Sequence, residues 1–360
     1  MKIVVTGAAG YIGSATVELL LAEGHHVVGI DSLMHGGESL IHMADHPNLH
    51  FVRADIRESS AVRPLLDGAD AVVHLAAIVG DPACKVDPEH TRAINYDAAV
   101  DLHHWTAKAG VPRFIFASTC SNYGKMEGEG FVTETSPLRP VSLYAETKVA
   151  FEKYLYGHST PQTTAVVLRF STVYGHSPRT RFDLTVNEFT KDLALGRTLE
   201  IFGEQFWRPY CHVRDLARSV LAGIGADLGT GTADVFNVGD TSENYTKKMI
   251  VEAIVQRFPD SRVTYVPKNE DPRDYRVNFD KIRDVLGFKI TRTVPQGIEE
   301  IARLLEFGLI EDTEDQRYYN ITPPVYEDAR GLRNAPAGRH PDRKASRRGL
   351  ASRKARQRAK

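Results

Sequence analysis

The chain has 360 residues, of which 42% are hydrophobic and 25% are charged, a composition that is ordinary for a globular enzyme. Its net charge of −1 conceals a basic end, because residues 331–360 contain eleven Lys or Arg and one acid, whereas residues 1–330 contain 34 bases and 45 acids. The acidic body argues against specific nucleic-acid binding, and three cysteines without ligand spacing argue against a metal centre or a disulfide framework.

The N-terminal residues form a glycine-rich motif. An apolar run from Met1 to Thr6 predicts a strand, and Gly7, Gly10 and Gly13 follow it before an apolar-periodic stretch. This order of strand, tight turn and helix is typical of a dinucleotide site, where the free amides of the turn bind a pyrophosphate. The loop residues expected to contact the cofactor are Gly7, Gly10, Tyr11, Ile12 and Gly13. Three glycines in seven residues also occur in simple turns, so the motif needs the support of its context.

The second predicted strand, residues 26–30, supplies that context. It ends at Asp31, eighteen residues after Gly13, close to the offset at which an acidic residue binds an adenosine ribose. A carboxylate there accepts from the ribose hydroxyls and repels a 2′-phosphate, so the sequence favours NAD over NADP. The chain contains no leader-like segment at its start and no apolar stretch of about 18 residues, so we expect a cytoplasmic protein without a membrane segment.

Strands and helices continue to alternate as far as residue 169. Strands are predicted at 49–53, 71–77, 114–117 and 164–169, with helices at 88–109 and 144–156 between the later ones. This alternation predicts an α/β fold with a doubly wound parallel sheet. Residues at or near the carboxyl ends of the strands are expected to contact the cofactor, namely Asp55, Ile56, Leu75, Ala76 and Ala77.

After Tyr174 the pattern changes to amphipathic helices at 183–195 and 215–224 and short strands at 199–202, 235–238 and 263–266. We expect these pieces to form a smaller α/β lobe over the carboxyl edge of the sheet. The predicted domains are thus a Rossmann domain at 1–173, a substrate lobe at 174–330 that exchanges some structure with the first domain, and a basic disordered tail at 331–360. The tail has almost no large apolar residues with which to fold.

Tyr144 and Lys148 lie four residues apart, on one face of a predicted helix. A nearby ammonium and the positive nicotinamide ring are expected to lower the pKa of the phenol from about 10 towards neutrality. Tyr144 would then be a general base for an alcohol, and Thr119, at the end of a strand, could bond the same oxygen. The spacing alone is common on helix surfaces, but it gains meaning beside the glycine motif and Asp31.

These residues together resemble the extended short-chain dehydrogenase/reductase family, and in particular its nucleotide-sugar epimerases and dehydratases. The resemblance covers about residues 1–305 and includes the glycines, Asp31, residues 55–57 and 74–77, Asn95, Thr119, Tyr144, Lys148, and the segments 169–175 and 208–215. It implies a tightly held NAD, with Asn95, Tyr144 and Lys148 in its site, and a nucleoside-diphosphate sugar in the cleft. It also implies a homodimer formed through the helices at 88–109 and 144–156.

The residues after Thr119 distinguish reactions within that family. Sugar 4,6-dehydratases carry Asp and Glu there, and this chain has Cys120 and Ser121, so the resemblance favours a 4-epimerase with a transient 4-keto intermediate. Cys120 could instead act as an acid/base, as in some 3,5-epimerases, or fill the core. A 4-ketoreductase, a 4,6-dehydratase and a nucleotide-sensing protein without turnover are the further alternatives.

The predicted substrate contacts rest mainly on the same resemblance. Thr172 stands where the family usually has Asn, which leaves the identity of the sugar nucleotide open. Two arginines are candidates for binding the diphosphate through their guanidinium groups, and Arg276 could take the place of Arg273. The predicted set is Thr119, Ser121, Asn122, Thr172, Asn187, Arg208 and Arg273.

Overall fold

The computed structural model describes residues 1–158, 160–268 and 273–321. The predicted basic tail, the end of the predicted substrate lobe from residue 322, and Asp271 and Pro272 beside Arg273 lie outside the described residues. Within the described part, no helix has the length and apolar character needed to cross a membrane.

The strands are, in chain order, β1 (Lys2–Thr6), β2 (His26–Asp31), β3 (Leu49–Arg53), β4 (Ala71–His74), β5 (Arg113–Thr119), β6 (Thr164–Phe170), β7 (Thr172–Tyr174), β8 (Thr198–Phe202), β9 (Trp207–His212), β10 (Ala233–Val238), β11 (Asn244–Thr246) and β12 (Arg262–Val266). The helices are α1 (Tyr11–Ala22), α2 (Ser59–Val62), α3 (Asp81–Val86), α4 (Pro88–Arg92), α5 (Ala98–Lys108), α6 (Leu143–Gly157), α7 (Thr185–Ala194), α8 (Val213–Gly225), α9 (Lys247–Arg257), α10 (Asp280–Leu286) and α11 (Val294–Glu306).

A seven-stranded parallel sheet in the order β10-β6-β5-β4-β1-β2-β3 forms the centre of the fold. Its middle strands are buried and mostly apolar because both faces are covered by helices, and two hydrophobic cores lie on the two sides. The order of the strands reverses between β1 and β4, which is where open parallel sheets bind ligands at their carboxyl ends. The predicted doubly wound α/β fold is confirmed.

Two smaller sheets follow the central sheet. Strands β11, β9 and β7 form one, and β12 and β8 form the other, with helices α7, α9 and α11 packed around a separate apolar cluster. The expectation that the strand at 235–238 belongs to the smaller lobe was wrong. β10 pairs in parallel with β6, from Ala233 opposite Ala165 to Val238 opposite Phe170, because α8 crosses the sheet and returns the chain to its edge.

Two other expectations about the elements also need correction. β4 ends at His74 and not at residue 77, since the Ala76 amide donates to the Thr6 hydroxyl instead of to a strand carbonyl, and its backbone lies against Gly7. The predicted continuous helix at 88–109 is interrupted by a wide π-helical turn at Ala93–Asp97. Such turns often occur at functional sites, and this one contains Asn95.

Candidate active site

The glycine loop lies directly against the end of β4. Gly7 has φ +73°, and a Cβ there would lie 2.7 Å from the Ala76 backbone nitrogen. A Cβ on Gly13 would lie 1.9 Å from the Gly7 carbonyl oxygen, so only glycine permits this turn. No side chain among the described residues caps the N-terminus of α1, so its first amides are available to an anion.

Asp31 connects the glycine loop to the loop after β2. Its Oδ2 accepts a 3.0 Å hydrogen bond from the Ala9 amide, and its Oδ1 accepts one of 2.8 Å from the Leu33 amide. Partial burial raises the pKa of this carboxyl, and the two backbone donors oppose the shift. The carboxylate also lines the cavity, where its remaining lone pairs face the place expected for an adenosine ribose.

A cavity of about 260 Å³ extends from the glycine loop across the carboxyl ends of the central strands. Its lining joins the uncapped N-terminus of α1 with Asp31, and this donor and acceptor set fits a dinucleotide, which is the cofactor predicted from the sequence. The predicted residues that line it are Gly7, Gly10, Tyr11, Ile12, Gly13, Asp31, Asp55, Ile56, Leu75, Ala76, Ala77, Thr119, Tyr144 and Lys148.

One predicted cofactor residue does not line the cavity. Asn95 is buried, and its side-chain amide bonds both to the Ile78 amide and to the Ile78 carbonyl, at 2.8 and 2.9 Å. It therefore holds the loop that lines the cavity. Asp55, which does line the cavity, is bonded through both carboxylate oxygens to Arg57.

Tyr144, Lys148 and Thr119 meet at one end of this cavity. Lys148 is buried, and its Nζ donates a 2.8 Å hydrogen bond to the Ala117 carbonyl, which fixes it at the end of β5. Burial lowers the pKa of Lys148 to about 8. Thr119 caps the 3₁₀ turn that follows β5 by accepting from the Ser121 amide at 3.1 Å.

The predicted lowering of the Tyr144 pKa is wrong for the protein groups alone. Desolvation raises the pKa of this phenol, and the charges of Cys84 and Asp81 raise it further, whereas Arg181 and a hydrogen bond with Thr119 lower it. The reason is that desolvation of the ring outweighs the opposing charge of Arg181 and the hydrogen bond with Thr119. Tyr144 is accordingly a neutral phenol at neutral pH, in contact with the Thr119 hydroxyl.

Cys120 does not face the cavity. Its side chain is 1% exposed, and its Sγ donates to the Arg169 carbonyl at 3.2 Å. Burial raises the pKa of the thiol. Of the two roles left open for this cysteine, the structure supports filling of the core, since a buried thiol with a raised pKa can neither reach a substrate nor exchange its proton readily.

Two predicted substrate residues have buried side chains that are hydrogen-bonded within the protein. Asn122 is buried and donates to Ser118 and Glu152, at 3.1 and 2.9 Å. Asn187 is also buried, accepts from the Gly175 amide at 2.9 Å and donates to the Arg181 carbonyl at 2.9 Å. Both side chains shape the loops around the cavity, and direct contact of either with a substrate stays a prediction.

The predicted diphosphate-binding side chains lie with aromatic residues. The Arg208 guanidinium lies 5.4 Å from the centre of the Tyr275 ring, and Tyr275 bonds with Ser121. Burial raises the pKa of Tyr275 to about 12. Three of the predicted contacts, Ser121, Arg208 and Arg273, thus interact with Tyr275, while Thr172 is half-buried on β7. None of these four residues is among those that line the cavity.

Arg273 and Arg276 have different surroundings. Arg273 pairs with Asp81 at 3.1 Å, which connects the segment after β12 with α3. Arg276 stacks between Trp207 and Phe131, with its Nε buried and without a hydrogen-bond partner among the described residues. The structure therefore keeps both arginines as candidates.

Several cavity residues were missed by the sequence analysis. Ser171 and Val173 follow the predicted sixth strand, so their position at a carboxyl end was a usable signal. Arg179 and Arg181 follow Gly175 as a pair of cations in an acidic chain, which was a weak signal. Asn320 belongs to a C-terminal segment that carries no motif, and nothing in the sequence indicated its position.

The chain matches the model of the NAD dependent epimerase/dehydratase family over residues 3–239. It is 31% identical over 315 residues to UDP-glucose 4-epimerase of Mycolicibacterium smegmatis, covering 85% of this chain and 98% of that protein. It is 30% identical to dTDP-glucose 4,6-dehydratase of Streptomyces niveus, covering 83% and 91%. A crystal structure of UDP-glucuronic acid 4-epimerase from Bacillus cereus, solved with UDP-glucuronic acid and NAD, superposes with a TM-score of 0.75 at 27% identity, covering 85% and 99%.

Proposed function

Because the chain belongs to the NAD dependent epimerase/dehydratase family, we propose that it is an NAD-dependent isomerase that inverts C4 of a nucleoside-diphosphate sugar. The observation that carries this proposal is the arrangement at the end of β5. Tyr144 and Lys148 meet Thr119 inside the cofactor cavity, while the two residues after Thr119 offer no carboxylate.

The residues of the cavity fit NAD as the cofactor. The glycine loop and the first amides of α1 would hold the diphosphate, and Asp31 would accept from the adenosine ribose. NAD, when bound, supplies a reversible two-electron acceptor for the sugar carbon. The chain itself supplies the binding site, the orientation and the proton acceptor.

Tyr144 is the group that exchanges a proton with the sugar hydroxyl. Its neutral state in the protein alone suits the return step, in which the phenol donates a proton to the oxygen of a keto sugar. The first step needs the phenolate, which Lys148 stabilises from the same face of α6. Lys148 is held in one position by the Ala117 carbonyl, so its charge does not move during the cycle.

Dehydration needs an acid/base pair next to the sugar, which the described residues do not supply at the two positions after Thr119. Cys120 is buried away from the cavity, and Ser121 is bonded with Tyr275. Asp81, whose charge raises the pKa of Tyr144, is paired with Arg273. These contacts favour epimerisation over water elimination.

We also propose a homodimer formed through α5 and α6. Both helices pack on the hydrophobic core at one face of the central sheet, and they carry Val100, Trp105 and Tyr154, which pack against that core and stay partly exposed, and Tyr156, which is 44% exposed. A second copy would cover these side chains. Light scattering on the full chain should give twice the mass of one chain, and a monomer at micromolar concentration would contradict the proposal.

The test of the reaction follows the hydrogen on C4. Substrates labelled with deuterium at C4 should yield an epimer that keeps the label without added reductant, because the hydrogen removed from C4 returns to the same carbon. The panel begins with UDP-glucose and UDP-glucuronic acid, which the relatives' names indicate, and continues with dTDP-, GDP- and CDP-sugars.

Mass spectrometry and proton NMR distinguish the alternatives. A second set of reactions uses unlabelled substrate in heavy water. There a dehydratase would lose water, about 18 mass units, and its product would carry solvent deuterium at C5, since it removes a C5 proton. A 3,5-epimerase would also take up solvent deuterium, without loss of mass. A ketoreductase would require stoichiometric NADH. Any of these results would overturn the assignment of C4 epimerisation.

A further inference from the structure

One wall of the cofactor cavity is formed by residues that the glycine motif and the strand ends do not explain. It consists of Arg179 and Arg181, from the loop between β7 and α7, and Asn320, near the end of the described chain. We propose that Arg179 is an anion-binding residue of the cofactor site that contacts the diphosphate of NAD, and that the C-terminal segment, residues 313–321, holds it in place. The proposal rests on the cofactor and not on the sugar reaction.

The side chain of Arg179 is buried, and only some of its hydrogen-bond donors have partners. It is 9% exposed, and its Nη2 donates to the Asn320 Oδ1 at 2.8 Å and to the Tyr319 carbonyl at 3.5 Å. Its Nε is buried and has no hydrogen-bond partner among the described residues. A guanidinium donor in this state costs free energy unless a ligand accepts from it.

The charge of Arg179 is likewise not balanced by an adjacent acid. Within the described residues no carboxylate lies within 4.0 Å of it, whereas the neighbouring Arg181 pairs with Asp183 at 2.8 Å. Burial and the charge of Arg181 lower the pKa of Arg179 to about 10, and Asp183 and Asp31 partly oppose this. Arg179 stays protonated at neutral pH, so the cavity contains a buried cation that an anionic ligand would stabilise.

The position of Arg179 fits a diphosphate. Its charge acts on Asp31 and on His35, which both line the adenosine end of the cavity. Arg181 lies 5.9 Å from the centre of the Tyr11 ring, next to the first amides of α1. The two arginines therefore line the same cavity as the glycine loop and the N-terminus of α1, where the cofactor's only formal negative charges are expected.

The C-terminal segment is fastened to the same loop by several bonds. The backbone amide of Asn320 donates to Asp183 Oδ2 at 2.9 Å, and the backbone amide of Phe182 donates to the Tyr318 carbonyl at 2.9 Å. Tyr319 is buried and accepts from Lys191 of α7 at 3.0 Å. A segment more than 130 residues further along the chain thus fixes the loop that presents Arg179.

The test measures nucleotide binding by the full chain after bound nucleotide has been removed with charcoal. Arg179→Gln should weaken NAD and ADP-ribose by about 10- to 100-fold, the range for a hydrogen bond to a charged group, and change adenosine by less than about 2-fold. Adenosine has no phosphate, so it separates the anion contact from the shape of the pocket. Calorimetric titration gives all three dissociation constants without any turnover.

Three further variants make the result specific. Arg179→Lys keeps the charge and should lose less affinity for NAD than Arg179→Gln. Asn320→Ala releases the guanidinium and should weaken NAD more than adenosine. Arg317→Gln is the control, since Arg317 lies on the same segment, is 57% exposed and pairs with Asp315, and it should change neither ligand.

Two outcomes would overturn the proposal. If Arg179→Gln weakens NAD and adenosine by the same factor, Arg179 only supports the wall of the pocket. If NAD affinity is unchanged, the guanidinium does not contact the cofactor. Failure of the sugar reaction would leave the binding result intact, so the two proposals are tested separately.

Discussion

The carboxylate of Glu152 on α6 forms a buried ion pair with Arg169 on β6, with 2.7 Å between Glu152 Oε2 and Arg169 Nη2. The side chains are 1% and 3% exposed. The same carboxylate accepts from the Ser118 hydroxyl on β5 and from the side-chain amide of Asn122, which lies within the 3₁₀ turn that follows β5. Helix α6, which carries Tyr144 and Lys148, is therefore tied to the turn that presents Thr119.

We expect Glu152→Gln to destabilise the fold strongly, because it leaves a buried guanidinium without its counter-charge. The cost of breaking such a pair is roughly 3–5 kcal/mol. Urea unfolding of the variant measures it. Glu299→Gln serves as the control, since Glu299 is 38% exposed and pairs with Arg257 at the surface, and its loss should be far smaller. Equal losses of unfolding free energy in the two variants would mean that the buried pair stabilises the fold no more than the surface pair does.

The second prediction concerns the proton acceptor. Tyr144→Phe keeps the ring in the cavity wall and removes the hydroxyl that bonds with Thr119, so turnover should fall by about 10²-fold or more while NAD stays bound. Turnover assays and the NAD content of the purified variant measure the two effects. Retained turnover would place the proton transfer on another group.

The sequence predicted most of the cofactor side of the site because that side is built from local signals. The glycines, Asp31 and the residues at the ends of β3, β4 and β5 follow strands that are visible as apolar runs. A parallel sheet brings the ends of such strands together by its topology, so no long-range information was needed.

The features of the fold and site that the sequence did not predict depend on contacts between residues that are distant in the chain. Arg179 and Asn320 are 141 residues apart, and β10 joins β6 only after α8 has crossed the sheet. The pKa of Tyr144 could not be predicted from the spacing to Lys148, because desolvation of the phenol raises this pKa more than the charge of Arg181 lowers it. Burial of this kind is a property of the packed structure.

Glu188 on α7 gives a prediction for the pH dependence of stability. Burial raises its pKa to about 7, with the charge of Asp192 adding to the shift, against an ordinary value of about 4.3 in the unfolded chain. Below pH 4 the Glu188 carboxyl is mostly protonated in both the folded and the unfolded chain, so its burial does not lower the free energy of unfolding. As the pH rises from 4.3 to 7 the unfolded chain ionises first, and the folded state loses relative stability until both are charged.

Glu188→Gln should therefore stabilise the protein at pH 8 by roughly 3–4 kcal/mol, with a gain that disappears towards pH 4.5. Urea unfolding at pH 5, 6.5 and 8 checks the slope. Glu252→Gln is the control, because Glu252 is 56% exposed on α9 and should show no such trend. A gain that is the same at every pH would show that the carboxyl of Glu188 does not titrate in this range.

Deleting residues 331–360 should leave folding and turnover intact. The described residues 1–321 form one compact unit that contains the whole cofactor cavity, and the deleted part has almost no large apolar residues. Thermal melts and turnover of the truncated chain measure this. A fall in melting temperature of several degrees would show that the tail contributes to the fold.

The last prediction concerns the choice between NAD and NADP. Asp31→Ala should weaken NAD and reduce the discrimination against NADP, because the carboxylate accepts from the ribose and repels a 2′-phosphate. The structure adds a complication, since Asp31 also receives the Ala9 and Leu33 amides, so Asp31→Ala removes support from the glycine loop as well.

Asp31→Asn separates these effects in part, because its single amide oxygen can still accept from one of the two backbone amides while the charge is lost. If charge determines the specificity, Asp31→Asn should gain NADP affinity relative to NAD while keeping more of the loop's support than Asp31→Ala, and Asp31→Ala should lose affinity for both. Dissociation constants for the two cofactors, measured at two salt concentrations, decide the matter, since repulsion of a phosphate by Asp31 weakens with ionic strength. An unchanged ratio of NAD to NADP affinity in both variants would remove Asp31 from the determinants of cofactor choice.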